Sequence, residues 1–322
     1  QTANSFVGLD SRSGQTRRRA NREHTSAVTA ITLNWNRRED TLACLASLQV
    51  VSYRNLDVVL VDNGSTDGTV EAVRRQFPEV EILENTSNLG YAAGCNRALR
   101  RFLSGESDYV LLLNNDTVVA PDMVDRLVET ALTYPDVGML GPTVWYYDDP
   151  GRLWSAGQRC RPITLSGQPP HVDPQVETPY EVDYLFGCGL LLKRQLLEDV
   201  GLFDERFFMY YEDQDLCLRA RRHGHRLMVV PAAKMWHKVS ASTGGSGTPL
   251  NKYHLARSSV LFYAKHTPRP LQPLVALYRL GSAVRTIARA WRDRRPAVVK
   301  AYLQGLADGI RLLRKPIEGL ES

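Results

Sequence analysis

The chain has 322 residues, of which 43% are hydrophobic, 23% charged and 8% aromatic, and this ordinary globular composition excludes a mainly disordered, collagen-like or disulfide-framework protein. Its five cysteines lack the close pairing of a structural zinc site or redox motif, so we expect reduced thiols and a cytoplasmic protein. The net charge of +5 is unevenly placed, because residues 265–316 hold twelve Lys or Arg against two Asp, whereas residues 27–264 are acidic. An acidic body with one basic tail argues against nucleic-acid binding and favours contact with an anionic membrane surface.

The chain divides into three predicted segments. Residues 1–26 are polar and basic, with few side chains to bury, and are interpreted as a flexible arm. Residues 27–248 are predicted to form one α/β domain, and residues 249–322 a C-terminal extension of basic amphipathic helices. Since the sequence has no uninterrupted run of about 18 apolar residues, we expect no transmembrane helix.

Apolar runs alternate with amphipathic stretches from residue 28 onward, and this alternation predicts a Rossmann-like, mostly parallel sheet flanked by helices. The runs expected to be strands covered on both faces span residues 28–33, 58–61, 80–83, 109–113, 137–140, 184–192 and 226–230. Helical spacing of apolar residues predicts helices over residues 41–50, 67–77, 91–103, 121–134, 250–265, 271–291 and 297–313. Right-handed crossovers bring the carboxyl ends of parallel strands to one edge of the sheet, where ligands bind.

Polar side chains follow three of the predicted strands, at residues 34–37, 62–64 and 114–116. Asp62 can accept a hydrogen bond from a pyrimidine imide N–H and Trp35 can stack on a base, so a nucleotide is a suitable ligand. Taken alone, residues 62–65 fit a turn and a helix cap equally well. The presence of three such clusters at one edge favours a binding site.

Small residues recur within residues 88–96, where Gly90 and Gly94 would let the backbone approach a ligand as a helix begins. The third glycine of a dinucleotide fingerprint is missing, and the segment follows the third strand rather than the first. The sequence also has no G-x-x-x-x-G-K-[ST] phosphate loop. These features disfavour a dehydrogenase or a P-loop kinase.

Four segments together resemble the family-2 inverting glycosyltransferases, which have the GT-A fold: residues 28–36, 61–69, 88–96 and 113–117. The resemblance covers roughly residues 28–265, and within the family it is strongest to bacterial rhamnosyltransferases that act on polyprenyl-diphosphate-linked acceptors. It implies a nucleotide-sugar donor, with dTDP-L-rhamnose favoured, and an acceptor hydroxyl on a lipid-diphosphate-linked sugar or a polysaccharide. UDP-galactofuranose and other hexose donors stay open, because the motifs specify the family more than the sugar.

The resemblance also implies a donor site and a metal site. Asn114, Asn115 and Asp116 take the place of the family's D-x-D motif, so Asp116 is expected to bind Mg²⁺ or Mn²⁺ together with His237. Amides at the first two positions reduce the negative charge, so we expect the ion to arrive with the nucleotide. The residues expected to contact the donor are Leu33, Asn34, Trp35, Asn36, Asp62, Gly90, Asn96, Asn114 and Asn115.

An acidic stretch at residues 210–219 resembles the family's E-D-x-D element, and the resemblance makes Asp213 the catalytic base. Inverting transfer needs one carboxylate to take the proton of the acceptor hydroxyl. Glu212 and Gly187 are expected to contact the acceptor. The alternative is that these acids only charge the first turn of a helix, and for Asp215 we expect an ion pair with Arg219.

The basic C-terminal extension leaves two questions open. Arg257 lies in a Y-x-x-x-R segment that resembles a family element, with Ser258 in place of its usual Asn, and it either binds the acceptor diphosphate or forms a salt bridge with the acidic body. The last two helices have the pattern of an interfacial membrane anchor, although a homodimerising helix pair would have the same pattern. Residues 240–247 are interpreted as a lid that closes on the donor. A peripheral position at the inner face of the cell membrane follows from the anchor interpretation.

Two other classes of protein share part of this sequence pattern. A non-catalytic sugar-nucleotide-binding scaffold would bind nucleotide without turnover, but it would not need Asp116, Asp213 and His237 together. A nucleotidyltransferase would carry a loop rich in Gly and Lys or Arg after the first strand, where this chain has residues 34–37. The sequence therefore favours a glycosyltransferase.

Overall fold

The computed structural model describes residues 25–168, 177–239 and 247–313. Its strands are β1 (Val28–Asn34), β2 (Leu56–Asp62), β3 (Glu81–Glu84), β4 (Tyr109–Asn114), β5 (Thr117–Val119), β6 (Val137–Tyr146), β7 (Leu153–Ser155), β8 (Arg159–Cys160), β9 (Gly167–Gln168), β10 (Tyr180–Val182), β11 (Gly189–Lys193) and β12 (Arg226–His237). Its helices are α1 (Arg38–Gln49), α2 (Thr69–Gln76), α3 (Tyr91–Ser104), α4 (Met123–Thr133), α5 (Arg194–Val200), α6 (Glu212–Arg222), α7 (Pro249–His266), α8 (Gln272–Arg292) and α9 (Pro296–Leu312). The predicted arm up to residue 24 and the predicted lid over residues 240–246 lie outside the described residues.

The main sheet has the strand order β10-β12-β6-β11-β4-β1-β2-β3. The strands β4, β1, β2 and β3 are mutually parallel, and so are β6 and β12, whereas β11 is antiparallel to both of its neighbours. The prediction of a mostly parallel sheet flanked by helices is therefore confirmed. The predicted strand over residues 184–192 is shorter than expected, because pairing begins at Gly189 and residues 184–188 form a loop at the edge of the sheet.

Both faces of the sheet are covered, which explains why the central strand β4 is continuously apolar from Tyr109 to Leu113. In β4, Leu111 and Leu113 belong to one hydrophobic core, whereas Val110 and Leu112 belong to the core on the opposite face. The register places Asn34 opposite Asp62 and Leu33 opposite Asn114. The polar ends of β1, β2 and β4 are thereby aligned at one edge.

The C-terminal helices follow the predicted bounds to within one residue at each end. Helix α7 begins with a side-chain cap, since the Thr248 hydroxyl accepts a hydrogen bond from the Asn251 backbone N–H at 3.2 Å. Helix α9 lies close along α7, because a Cβ atom at Gly309 would stand only 2.7 Å from the carbonyl oxygen of Arg257. None of the helices in the described residues combines the length and the apolar content that crossing a bilayer requires.

Candidate active site

A cavity of about 580 Å³ opens at the edge of the sheet where β1 and β4 end. The loop before β11, the start of α6 and the end of β12 form its other walls. The predicted site residues that line it are Leu33, Trp35, Gly90, Asn114, Asn115, Asp116, Gly187, Glu212, Asp213 and His237. The predicted site residues that do not line it are Asn34, Asn36, Asp62, Asn96 and Arg257.

Asp116 and His237 meet on one wall of the cavity. Pairing of β5 with β12 places His237 opposite Thr117, and the His237 Nε2 atom lies 3.1 Å from Asp116 Oδ1. The two side chains are 7% and 6% exposed. Burial alone would lower the pKa of His237, but the Asp116 carboxylate and the Cys188 thiol raise that pKa to about 10.

One nitrogen and one carboxylate oxygen at this distance suit Mg²⁺ or, better, Mn²⁺. The Nδ1 atom of His237 is buried and has no hydrogen-bond partner among the described residues, so Nε2 is the nitrogen that is aimed at the carboxylate. No group of three or more His, Cys, Asp or Glu side chains placed to hold a metal occurs in the part of the chain that the structure describes. The residues therefore fit a cation that takes its remaining ligands from a diphosphate and from water.

Two acidic side chains project from the first turn of α6. The preceding Tyr210 and Tyr211 have φ angles of 68° and 72°, which is a sparsely populated conformation for residues with a side chain. Asp213 Oδ2 accepts hydrogen bonds from the Tyr184 hydroxyl at 2.8 Å and from the Gly187 N–H at 2.9 Å. This strained turn fixes the direction of the carboxylates toward the loop before β11.

The two neighbouring acids differ in how their charge is stabilised. Burial raises the pKa of Asp213, and the hydrogen bonds from Gly187, Tyr184 and Gln214 oppose that rise. Burial and then the charge of Asp213 raise the pKa of Glu212 well above its usual value, and Glu212 Oε2 has no hydrogen-bond partner among the described residues. Burial therefore disfavours ionisation of both acids, and the hydrogen bonds that oppose this effect act mainly on Asp213, so Asp213 is the acid whose ionised form the protein stabilises better.

The third acid of the segment is structural, as predicted. Arg219 Nε donates to Asp215 Oδ2 at 2.8 Å, and His266 Nε2 lies 2.7 Å from Asp215 Oδ1. Burial alone would raise the pKa of Asp215, but His266, Arg219 and Lys265 lower it. Asp215 thereby ties α6 to α7.

Three predicted donor-binding residues instead organise the loops behind the cavity. The amide nitrogen of Asn34 donates to Asp62 Oδ1 at 2.9 Å, and its oxygen accepts from Asn115 Nδ2 at 3.0 Å. Asp62 is 3% exposed, and its second oxygen accepts from the Ser65 N–H at 2.9 Å. Asn36 accepts from the Thr66 N–H at 2.7 Å. Asp62 therefore closes a turn with Ser65, whereas helix α2 begins only at Thr69 without a side-chain cap, and Asp62 does not line the cavity.

Asn96, which was also expected to contact the donor, does not line the cavity. It is buried in α3, where its amide nitrogen donates to the Phe203 carbonyl at 2.8 Å and its oxygen accepts from the Phe203 N–H at 3.0 Å. Because both polar groups of the side chain are held by the loop before α6, Asn96 stabilises that loop. Asn63, which the sequence analysis did not assign, does line the cavity and donates to the Gly90 carbonyl at 3.0 Å.

Gly90 has a structural reason to be glycine. Its φ angle is 85°, and a Cβ atom would stand 2.5 Å from the carbonyl oxygen of Phe208. The next residue, Tyr91, donates its N–H to that same carbonyl at 2.7 Å. The glycine thus allows the segment before α6 to dock against the start of α3.

Gly90→Ala should lower the free energy of unfolding by about 2 kcal/mol or more, because it adds both a strained φ angle and a backbone clash. Urea denaturation of the purified protein measures the change. Gly151→Ala is the matched control, since a Cβ atom at Gly151 has open space and the backbone there has no positive φ angle. Equal stability of the two variants would contradict this role of Gly90.

Arginines of the C-terminal helices are placed differently from the prediction. Arg257 lies outside the cavity, and in the described residues it forms no ion pair, so the salt bridge to the acidic body is also absent there. Its Nη1 atom is buried without a hydrogen-bond partner, and burial lowers its pKa. Arg279 of α8, in contrast, lines the cavity and lies over the ring of Tyr263 at 4.7 Å. No local sequence pattern singled out Arg279, because its position depends on how α8 packs against α7, where its guanidinium donates to the Ser259 hydroxyl.

A sheet of this topology, with a cavity at the carboxyl ends of its parallel strands and several acidic side chains in that cavity, is typical of transferases with the GT-A fold. The model of the family described as "Glycosyl transferase family 2" matches residues 29–201, which is more than half of the chain. The chain therefore belongs to glycosyl transferase family 2 and is a glycosyltransferase, and the resemblance noted in the sequence is confirmed.

Two curated relatives are named as rhamnosyltransferases. The N-acetylglucosaminyl-diphospho-decaprenol L-rhamnosyltransferase of Mycobacterium tuberculosis (strain ATCC 25618 / H37Rv) is 33% identical over 226 residues, which cover 62% of this chain and 72% of the relative. The dTDP-rhamnosyl transferase RfbF of Shigella flexneri is 22% identical over 299 residues, which cover 89% of this chain and 96% of the relative.

Solved structures support the fold. The mannosyltransferase PcManGT from Pyrobaculum calidifontis, in complex with GDP-Man and Mn²⁺, matches with a TM-score of 0.56 and 21% identity over 91% of this chain and 86% of its own. GalNAc-T7 with UDP, GalNAc and Mn²⁺ matches with a TM-score of 0.58 and 14% identity over 75% of this chain and 50% of its own. At these identities the similarity establishes the shared GT-A architecture.

Proposed function

We propose that this glycosyltransferase transfers L-rhamnose from dTDP-L-rhamnose to a hydroxyl of a lipid-diphosphate-linked sugar, with inversion and with a divalent cation. The observation that carries the proposal is that Asp116, His237 and Asp213 line a single cavity at the carboxyl edge of the sheet. The names of the two rhamnosyltransferase relatives, one for a decaprenol-linked acceptor and one for a dTDP-rhamnose donor, support the choice of acceptor and donor. UDP-galactofuranose is the alternative donor, and a polysaccharide the alternative acceptor.

The donor end of the cavity lies around Trp35 and the Asp116–His237 pair. Trp35 is 40% exposed at the cavity wall and offers a ring face on which a pyrimidine can stack. Asn114 and Asn115 also line the cavity as neutral groups, and because the Asn115 amide nitrogen donates to Asn34 and Thr41, only its oxygen is left for the ribose or diphosphate. Asp116 and His237 would hold Mg²⁺ or Mn²⁺, which stabilises the negative charge of the leaving diphosphate.

The acid end of the cavity performs the proton transfer. The acceptor oxygen attacks the anomeric carbon while Asp213 takes the hydroxyl proton, and the bond from that carbon to the nucleoside diphosphate breaks on the opposite side. One displacement inverts the anomeric configuration and requires no covalent glycosyl-enzyme. Glu212 lies beside Asp213 at the cavity wall, where it is placed to contact the acceptor, and Gly187 lets the acceptor pass close to the backbone.

A donor panel tests the proposal directly. Release of nucleoside diphosphate is measured with dTDP-L-rhamnose, UDP-galactofuranose and UDP-hexoses, with Mn²⁺ or with EDTA, and with or without a lipid-diphosphate-linked N-acetylglucosamine. Acceptor-dependent release from dTDP-L-rhamnose that EDTA abolishes is the expected result. A preference for another donor would contradict the sugar assignment, and tight nucleotide binding without any release would favour the non-catalytic scaffold.

Arg279→Gln should raise the KM for the lipid-diphosphate acceptor about tenfold to a hundredfold, because a charge-assisted contact to a diphosphate is lost. Acceptor-independent hydrolysis of the donor should stay unchanged. The basis is that Arg279 and Tyr278 bring α8 to the same cavity as Asp213. Arg257→Gln tests the arginine that the sequence favoured for this contact. A larger rise of KM in Arg257→Gln than in Arg279→Gln would contradict the assignment to Arg279.

The same helix supports a peripheral position at the inner face of the cell membrane. Its exposed apolar side chains repeat every three or four residues and form one stripe, the α8 stripe, made of Leu274, Leu277, Leu280, Val284 and Trp291. An amphipathic helix with an apolar stripe and flanking arginines binds at the interface of a bilayer. A second copy of the chain packed on the α8 stripe is the alternative.

A further inference from the structure

Three aromatic side chains in mutual contact line one side of the active-site cavity. The rings of Trp154 and Phe186 have their centroids 5.0 Å apart, and those of Phe186 and Tyr184 have theirs 4.7 Å apart. All three residues belong to the lining of the cavity. We call Trp154, Phe186 and Tyr184 the aromatic wall.

The two ends of the aromatic wall contact the two reactive ends of the cavity. The Trp154 ring meets the His237 ring edge-on, with centroids 4.9 Å apart. At the other end, the Tyr184 hydroxyl donates to Asp213 Oδ2 at 2.8 Å. Phe186 is the middle member. The aromatic wall therefore spans the interval between the proposed cation site and the proposed base.

The transferred sugar has to occupy this interval. In the proposed displacement, the anomeric carbon is bonded to the diphosphate that the cation holds, and the acceptor oxygen that attacks this carbon gives its proton to Asp213. The sugar ring that carries the anomeric carbon therefore lies in the stretch of the cavity that the aromatic wall lines.

The position of Trp154 is set by an irregularity in the pairing of β7 with β6. Ser155 lies opposite Val144 and Leu153 lies opposite Trp145, so Trp154 is an extra residue between two adjacent pairs. Such a bulge re-aims a side chain and is common beside active sites. The partly buried Trp154 ring packs against the hydrophobic core of the sheet and also lines the cavity.

The centre of the aromatic wall offers carbon surface rather than hydrogen-bonding groups. Phe186 has no polar side-chain atom, and the Tyr184 hydroxyl is engaged with Asp213. A methyl substituent of a sugar can pack on such a surface, whereas a hydroxymethyl group there would give up hydrogen bonds to water without replacing them. A hydrophobic surface of this kind disfavours a substrate with one added hydroxyl by about tenfold to a hundredfold.

We propose that the aromatic wall seats the transferred sugar and selects a 6-deoxyhexose, whose methyl group packs against Phe186 and Trp154. This selectivity rests on the proposed function and deepens it, because it assigns the choice of sugar class to named side chains.

The test compares dTDP-L-rhamnose with dTDP-L-mannose, which differs from it only by a hydroxyl on C6. The wild-type kcat/KM should favour dTDP-L-rhamnose about tenfold to a hundredfold. Phe186→Gln offers an amide partner to the added hydroxyl, so the preference should fall to about threefold or less. Phe186→Leu is the matched control, because it removes the same ring but keeps an apolar surface. It should retain most of the preference while lowering kcat/KM for both donors.

Calorimetric binding of thymidine diphosphate with Mn²⁺ is measured on every variant and should be unchanged, because this ligand carries no sugar. That measurement distinguishes loss of fold from loss of a sugar contact, and the wild-type comparison depends on no variant at all.

Equal wild-type kcat/KM for the two donors would overturn the selectivity while leaving rhamnosyl transfer intact. An unchanged preference in Phe186→Gln would also overturn it. A rise confined to the KM for the acceptor would assign the aromatic wall to the acceptor sugar instead. Use of a different nucleotide sugar in the donor panel, with neither of these two donors accepted, would contradict the proposed function itself.

Discussion

Asp213→Asn will abolish sugar transfer, with kcat falling by about 10³-fold or more, while donor affinity stays within severalfold. The amide keeps the size and hydrogen-bonding shape of the side chain but cannot take a proton from the acceptor hydroxyl. Acceptor-dependent release of nucleoside diphosphate measures kcat, and calorimetric titration with nucleoside diphosphate and Mn²⁺ measures binding. Transfer at the wild-type rate in this variant would remove the base assignment.

The pH dependence provides a second measurement on the same group. The basic form of Asp213 is lost as the pH falls through its pKa, and burial raises that pKa, so the acid limb of the rate profile should lie above the usual aspartate range. The Tyr184 hydroxyl stabilises the ionised form through its 2.8 Å hydrogen bond. Tyr184→Phe should therefore shift the acid limb to still higher pH and restore the plateau rate at alkaline pH.

Glu212→Gln is the matched control for the neighbouring acid. Since burial and the charge of Asp213 disfavour ionisation of Glu212, the neutral amide should preserve the base and mainly raise the KM for the acceptor. If Glu212→Gln abolished transfer and Asp213→Asn did not, the two roles would have to be exchanged.

Asp116→Asn is expected to have the second-largest effect, lowering the metal-dependent rate by on the order of 10³-fold. Asp116 is the carboxylate that lies against His237, and without its charge the proposed cation would be held less well beside the leaving diphosphate. His237→Ala should weaken Mn²⁺ binding in the presence of nucleoside diphosphate, with a smaller loss of rate at saturating Mn²⁺.

Metal binding itself can be followed without activity, by electron paramagnetic resonance of Mn²⁺ titrated into protein with thymidine diphosphate. Wild-type protein should immobilise the ion and Asp116→Asn should not. Asp149→Asn, an exposed aspartate outside the cavity, is the control for a simple loss of charge. An unchanged Mn²⁺ spectrum in Asp116→Asn would place the cation elsewhere.

Local patterns in the sequence determined the elements of this fold. The apolar runs of β1, β2 and β4 and the helical spacing of α7, α8 and α9 predicted those elements closely, because burial on two faces or on one stripe leaves a direct periodic trace. The ion pair of Asp215 with Arg219 was predictable for the same reason, since residues four apart on a helix are neighbours.

The motifs also located the site, but through resemblance rather than through periodicity. Asp116 and His237 are 121 positions apart, and only the pairing of β5 with β12 brings them to a distance of 3.1 Å. No local pattern reports such a contact.

The tertiary structure decided which way each polar side chain faces. Asp62 and Asn96 occupy positions expected to contact the donor, yet their polar atoms are engaged by Ser65, Asn34 and the Phe203 backbone. Arg279 lines the active-site cavity only because α8 packs against α7, where the Arg279 guanidinium donates to the Ser259 hydroxyl. Periodicity encodes the burial of a face, whereas the partner of an individual polar group depends on contacts between segments that are distant in the chain.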